Sequence, residues 1–225
     1  MAELWYNIRM KTLLVNGSPR KDGNTAVALN EIAKTLEAEG VGAETFWIGV
    51  KPVRGCMACG RCREGGGKCV FGDDAANDLA AKMAAADTVV VGSPVYYGQP
   101  NGALLALLQR ALFSSPACVA GKPVASAAIC RRGGASAAFQ CLNLPFQMLN
   151  CTIVGSQYWN IAYGREKGEA AQDTEGMQTM RTLARNLAWL LKNIAAGAVP
   201  RPEEEPWQPM HFIRSALGRP LTIYT

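Results

Sequence analysis

Short unbroken apolar runs alternate along this chain with longer stretches in which apolar residues recur every three or four positions. Leu13-Leu14-Val15 and Val89-Val90-Val91 belong to the first kind, which suits strands buried on both faces. The pattern predicts strands at Thr12–Asn16, Ala43–Trp47, Thr88–Ser93, Pro123–Ile129 and Cys151–Tyr158. It predicts helices at Thr25–Glu39, Asp74–Ala85, Asn101–Leu112, Ser136–Leu149 and Thr174–Ala195. Gly40 fits a helix stop, and Asp73-Asp74 fits a cap with negative charge at a helix start. Met148, Leu149 and the aliphatics of the last helix fall at core spacing. Strand and helix in alternation imply an α/β fold with a parallel sheet covered on both faces and right-handed crossovers. Five strands suit the order 2-1-3-4-5, whose crevice lies at the carboxyl ends of strands one and three.

A chain of 225 residues, 49% of them hydrophobic, can bury a real core. We expect one domain over residues 1–195, with a cysteine-rich insertion at 52–72 and a Pro-rich tail at 196–225. Residues 1–9 read as a loose extension or a misassigned start. The acidic run Glu203–Glu205 reads as solvated, and Trp207 and Phe212 as docking on a neighbouring subunit. A net charge of +5 without a basic block argues against nucleic acid. No apolar run reaches membrane-spanning length, and no signal-peptide core is legible, so a cytoplasmic location is expected. Eight cysteines then read as thiols or metal ligands. His211, the single histidine, lies in the tail, which argues against Ser-His-Asp or Cys-His catalysis and histidine-ligated zinc.

Chemistry collects in the loops that follow the strands. GSPRKDGNT, residues 17–25, links the first strand to the first helix. A helix N-terminus there is an anion site, because backbone N–H groups converge and the helix dipole favours negative charge. Ser18, Asn24 and Thr25 add donors; the plainer alternative is an ordinary turn with Thr25 as N-cap. The absence of GxxxxGK[ST] and GxGxxG argues against ATP and a Rossmann-type dinucleotide. SPVYYGQPNG, residues 93–102, follows the third strand and offers the flat faces of Tyr96 and Tyr97. CRRGG, residues 130–134, follows the fourth; its glycines permit close backbone approach, and Arg131 or Arg132 could meet an anion. A phosphate loop beside an aromatic loop suits a mononucleotide with a large ring, and FMN fits best. Cys130 could approach such a ligand.

These three loops resemble the NADPH-dependent FMN reductase branch of the flavodoxin-like proteins, over roughly residues 11–195. The resemblance implies a flavodoxin-like three-layer sandwich. It implies that Ser18, Arg20, Asn24 and Thr25 hold the FMN phosphate. It places Pro94, Val95, Tyr96, Tyr97 and Gly98 along the isoalloxazine ring, while Arg131 and Gly133 are candidates from the third loop's own residues. It further implies NAD(P)H as co-substrate, a quinone, a flavin or a similar small molecule as acceptor, and a homo-oligomer. Chemistry would reside on the flavin, with no obligatory catalytic side chain.

Cys56, Cys59, Cys62 and Cys69 form C-x2-C-x2-C-x6-C among glycines that let the backbone turn tightly. Three thiols at spacings of three suit a [4Fe–4S] cube better than zinc, whose sites usually pair two short units across a longer spacer. Zinc and free or oxidised thiols are the alternatives. The run resembles that of the iron–sulfur flavoproteins, which implies one-electron exchange with a partner such as ferredoxin. A flavin-binding protein without turnover is the third reading. Cys118, Cys130, Cys141 and Cys151 show no ligand spacing and read as buried, apolar-like residues.

Overall fold

In the computed structural model of the chain, which describes residues 10–206 and 208, the apolar runs form the centre of a sheet. The order is β2 (Gly42–Trp47), β1 (Lys11–Asn16), β3 (Thr88–Tyr96), β5 (Pro123–Cys130) and β6 (Thr152–Ile153). Those pairs are all parallel, with Leu13 opposite Val89 and Val91 opposite Ser126. Two short strands lie off this path: β4 (Gln99–Pro100) pairs β3 and β7 (Ile161–Tyr163) pairs β5. Alternation splits the central residues between two cores. Leu13, Val15, Val89 and Val91 meet α3 (Ala76–Ala84), α4 (Gly102–Ser114) and α5 (Ala135–Gln147). Leu14, Val90, Ala125 and Ile129 meet α1 (Asn24–Ala38) and α6 (Thr174–Ala196). Each fully buried aliphatic contributes about 1.5–3 kcal/mol, so the two layers fix the sheet order.

The fifth strand is not the single run Cys151–Tyr158. It is broken into β6 and β7, which pair the two ends of β5. The Ser156 hydroxyl bonds the Tyr158 carbonyl at 2.7 Å and Asn160 Oδ1 at 2.8 Å, closing a local turn in place of strand pairing. An edge strand tolerates this because no further strand depends on it. The third strand runs three residues past Ser93. Tyr97 and Gly98 have φ of 50° and 77°, the mirror-image turn that folds β4 back on β3.

Other boundaries also move. α1 begins at Asn24 with Gly23 as N-cap, so Thr25 lies buried in the first turn and is not the cap. A four-residue helix, α2 (Arg61–Glu64), was not predicted. α3 starts after the two acids, and α5 ends at Gln147 with Pro145 inside it. Met148, expected in the core, is 85% exposed because it stands beyond the last turn of α5. Leu149 packs against the core, and Leu183, Leu187 and Leu191 of α6 are buried. Cys118 and Cys130 are buried, Cys141 and Cys151 only partly, and all eight cysteines are unpaired. Among the described residues no helix is long and apolar enough to cross a membrane. The expectations for residues 1–9 and for Trp207, His211 and Phe212 lie outside the described residues.

Candidate functional site

The first strand ends on Asn16, whose buried amide shapes the loop that follows. Its Oδ1 accepts from the Ser18 N–H at 3.1 Å, and its Nδ2 donates to the Lys21 carbonyl at 3.0 Å. The Ser18 hydroxyl, itself buried, accepts from the Arg20 N–H at 3.1 Å. Trp47 at the end of β2 donates Nε1–H to the Ser18 carbonyl at 2.8 Å. The chain then enters α1 through Gly23, and no side chain caps that helix. Its first N–H groups therefore lack intrahelical partners beside buried Ser18 and Thr25. A Cβ at Gly23 would stand 3.2 Å from the Arg20 Cβ, so the loop closes tightly there. This uncapped, positively polarised end fits a phosphate.

Asn24 behaves differently from its neighbours. Its Nδ2 donates to the Glu166 carbonyl at 2.9 Å and its Oδ1 accepts from the Ala170 N–H at 3.1 Å. Both ends of the amide are thus tied to the segment after β7, which leaves one donor hydrogen for a ligand. Arg20 is exposed at the loop tip.

The second loop is bound to the first through Asn101, which the sequence marked only as a helix start. Asn101 Oδ1 caps α4 by accepting from Ala103 at 3.0 Å. Its Nδ2 donates to the Gly17 carbonyl at 2.7 Å, and its backbone N–H donates to the Ser93 hydroxyl at 2.9 Å. Gly17 in turn donates to the Gly92 carbonyl at 2.8 Å. Pro94 and Val95 are half-buried, while Tyr96 is 45% exposed and Tyr97 projects fully into solvent. The third loop touches the second: a Cβ at Gly134 would lie 2.7 Å from the Gly98 Cα. Arg131, Arg132 and Gly133 are exposed beside that contact, and Cys130 is buried under it. A fourth segment, Gly164-Arg165-Glu166-Lys167-Gly168, was not read as part of the site. The Glu169 carboxylate accepts from the Arg165 and Glu166 N–H groups and folds it, and Asn24 holds it against the first loop. The three predicted loops therefore meet on the carboxyl rim of the sheet.

The cysteine run forms a second site. Positive φ at Ala58 (50°) and Gly60 (72°) turns the backbone between the thiols, and α2 follows. Cys56, Cys59, Cys62 and Cys69 line one pocket with Phe71, Arg110 and Phe113. Cys69 is clamped by Asn77 of α3, which accepts from its N–H and donates to its carbonyl, each at 2.9 Å. Arg110 of α4, buried to 2% exposure, donates Nε–H to the Cys69 sulfur at 3.3 Å. Its other nitrogens bond the Arg54 carbonyl at 3.3 Å, the Phe71 carbonyl at 2.7 Å and the Asp74 carboxylate. Asp74 also accepts from the Ala76 N–H, so it serves both the helix start and the cation. Burial alone would push the Arg110 pKa down, but the bonds to Cys69 and Asp74 outweigh it and hold the pKa above its ordinary value.

Among the described residues, no carboxylate or imidazole lines that pocket. An all-thiol donor set is soft and suits zinc or an iron–sulfur group. Among the described residues, no three His, Cys, Asp or Glu side chains are drawn together around a point as a single ion requires. Four cysteines on one pocket match in number and softness the thiolate set that an iron–sulfur cube takes.

A profile of the NADPH-dependent FMN reductase family matches residues 10–166. An iron-sulfur flavoprotein of Methanocaldococcus jannaschii is 30% identical over 195 residues, which covers 82% of this chain and 99% of that one. Among solved structures, the flavodoxin, WrbA-like protein from Agrobacterium tumefaciens aligns with a TM-score of 0.57 at 18% identity, over 82% of this chain and 98% of that one. RosB with bound 8-demethyl-8-formylriboflavin-5'-phosphate aligns with a TM-score of 0.67 at 14% identity, over 92% and 97% of the two chains.

Proposed function

The chain belongs to the NADPH-dependent FMN reductase family and is an FMN-dependent oxidoreductase, and from that premise we propose how its two sites divide the work. The uncapped end of α1, with Ser18 and Thr25, holds the FMN phosphate. Pro94, Val95, Tyr96, Tyr97 and Gly98 border the isoalloxazine ring, and Arg131 and Gly133 close the third side. Bound there, FMN supplies hydride acceptance from NAD(P)H and onward reduction of a small acceptor such as a quinone or a flavin. The exposed face of Tyr97 leaves an approach for that second molecule. The observation that carries this reading is the uncapped helix end beneath three loops that touch one another.

Ser18→Ala tests it. Losing one hydrogen bond to a charged phosphate costs about 1.5–3 kcal/mol, so FMN affinity should fall about tenfold to a hundredfold with the far-UV spectrum unchanged. Equal affinity in a fluorescence titration would remove Ser18 from the site. Bleaching of the bound flavin by NADPH and by NADH, compared at equal concentration, tests the electron source.

A second reading is favoured by the four-thiol pocket and by the likeness to an iron-sulfur flavoprotein. Cys56, Cys59, Cys62 and Cys69 would hold a [4Fe–4S] cluster, which would supply one-electron exchange with a carrier such as ferredoxin. Iron and sulfide content and the absorption spectrum of anaerobically purified protein test this directly. A flavin that ferredoxin bleaches and nicotinamides do not would favour the carrier over the reductase.

A further inference from the structure

Arg110 sits in the middle of the apolar helix α4, where a guanidinium is costly to bury. Its pairing explains part of the placement. One terminal nitrogen meets Asp74 and the Arg54 carbonyl, the other meets the Phe71 carbonyl, and together these hold the loop to the helix. They leave the Nε–H, which points at the Cys69 sulfur. Asn77 clamps the Cys69 backbone from the other side, so the sulfur and the guanidinium are fixed against each other. Among the described residues that line the pocket, Arg110 is the one charged side chain, with Asp74 paired to it outside that lining. A charge removed from solvent acts on its neighbours with little screening.

We propose that Arg110 is a positioning residue of the cysteine pocket, fixing Cys69 as a ligand and setting the reduction potential of an iron–sulfur cluster bound there. The inference rests on the reading of the pocket as a cluster site. One-electron reduction makes or breaks no bond and adds one negative charge to the cluster. The electron comes from the reduced flavin in the enzyme, or from dithionite through mediators in a titration. A fixed cation hydrogen-bonded to a ligating sulfur favours the more negative state, so Arg110 raises the potential.

The test uses full-length protein reconstituted anaerobically with ferrous iron and sulfide and titrated with dithionite. Wild type is compared with the double variant R110Q/D74N, which removes both members of the buried ion pair, and with D74N, which unmasks the guanidinium. At equal iron content, the double variant should lower the one-electron equilibrium constant at least tenfold, equivalent to 59 mV. D74N should raise it. R110K keeps the charge but lacks the Nε–H, and should recover part of the loss. If the double variant fails to fold by circular dichroism, the direction of the D74N shift decides. Variants with a full complement of iron and the wild-type midpoint would overturn the role of Arg110 while leaving the cluster in place. A wild type that takes up neither iron nor sulfide would overturn the cluster reading and the proposal with it, a result separable from the former by iron content alone.

Discussion

A methyl group at Gly134 would meet the Gly98 backbone at 2.7 Å, and the residue has φ of 83°, where side chains are strained. Gly134→Ala should therefore push the third loop off the second. The strain is about 1–3 kcal/mol; FMN affinity should drop about tenfold, while the two cores, which Gly134 does not enter, keep their packing. Equal FMN affinity by fluorescence titration would show that the contact does not shape the site. Cys118 carries a different consequence. Burial pushes its thiol pKa from 9.0 up to about 11. Its folded value lies above the unfolded one, so its contribution to stability is complete below pH 9 and is lost as pH rises toward 11. Urea midpoints of wild type should fall across that window relative to Cys118→Ala; parallel curves would contradict the assignment.

At the scale of elements, helix ends and turns matter more than helix interiors. Lys122 reaches from the start of β5 to the end of α3 and donates to the carbonyls of Met83, Ala84 and Ala86 at 2.8, 3.0 and 2.7 Å. A cation there satisfies orphan carbonyls and meets the negative end of the helix. Lys122→Met should cost about 1.5–3 kcal/mol, read as a lower urea midpoint with an unchanged slope. A midpoint equal to wild type would mean that water replaces the ammonium without loss. Asn101 joins an α4 cap to the loop after β1, and Asn24 joins α1 to the loop after β7. The first turn of each helix thus holds a piece of the rim as well as its own helix.

At the scale of the whole molecule, the two candidate sites are joined by one helix. Asn101 caps α4 under the rim, and Arg110 follows nine residues on, about 13.5 Å along the axis at 1.5 Å per residue. The cysteine pocket is walled by Arg110, Phe113 and Ser114 of that helix, and among the described residues none of the three predicted rim loops lines it. If the pocket takes up iron as proposed, replacing both Cys56 and Cys59 with Ala should abolish that uptake and leave FMN stoichiometry close to wild type. Loss of FMN along with the iron would show that the sites are not separate.

The order of the strands and the identity of three of the four rim segments were legible in the chain; the segment from Gly164 to Gly168 was not. Buried parallel strands need unbroken apolar runs, and parallel connection forces every strand-to-helix loop onto one edge. The cysteine spacing was equally local. Tertiary structure alone decided the rest. Asn101 bonds a residue 84 positions away, Asn24 one 142 positions away, and Arg110 a thiol 41 positions away. The fifth strand broke because Ser156 found Tyr158 and Asn160, a competition that apolar spacing does not record. Periodicity reports which face of an element is buried, whereas the partner of a buried polar atom is chosen only when distant segments are brought together.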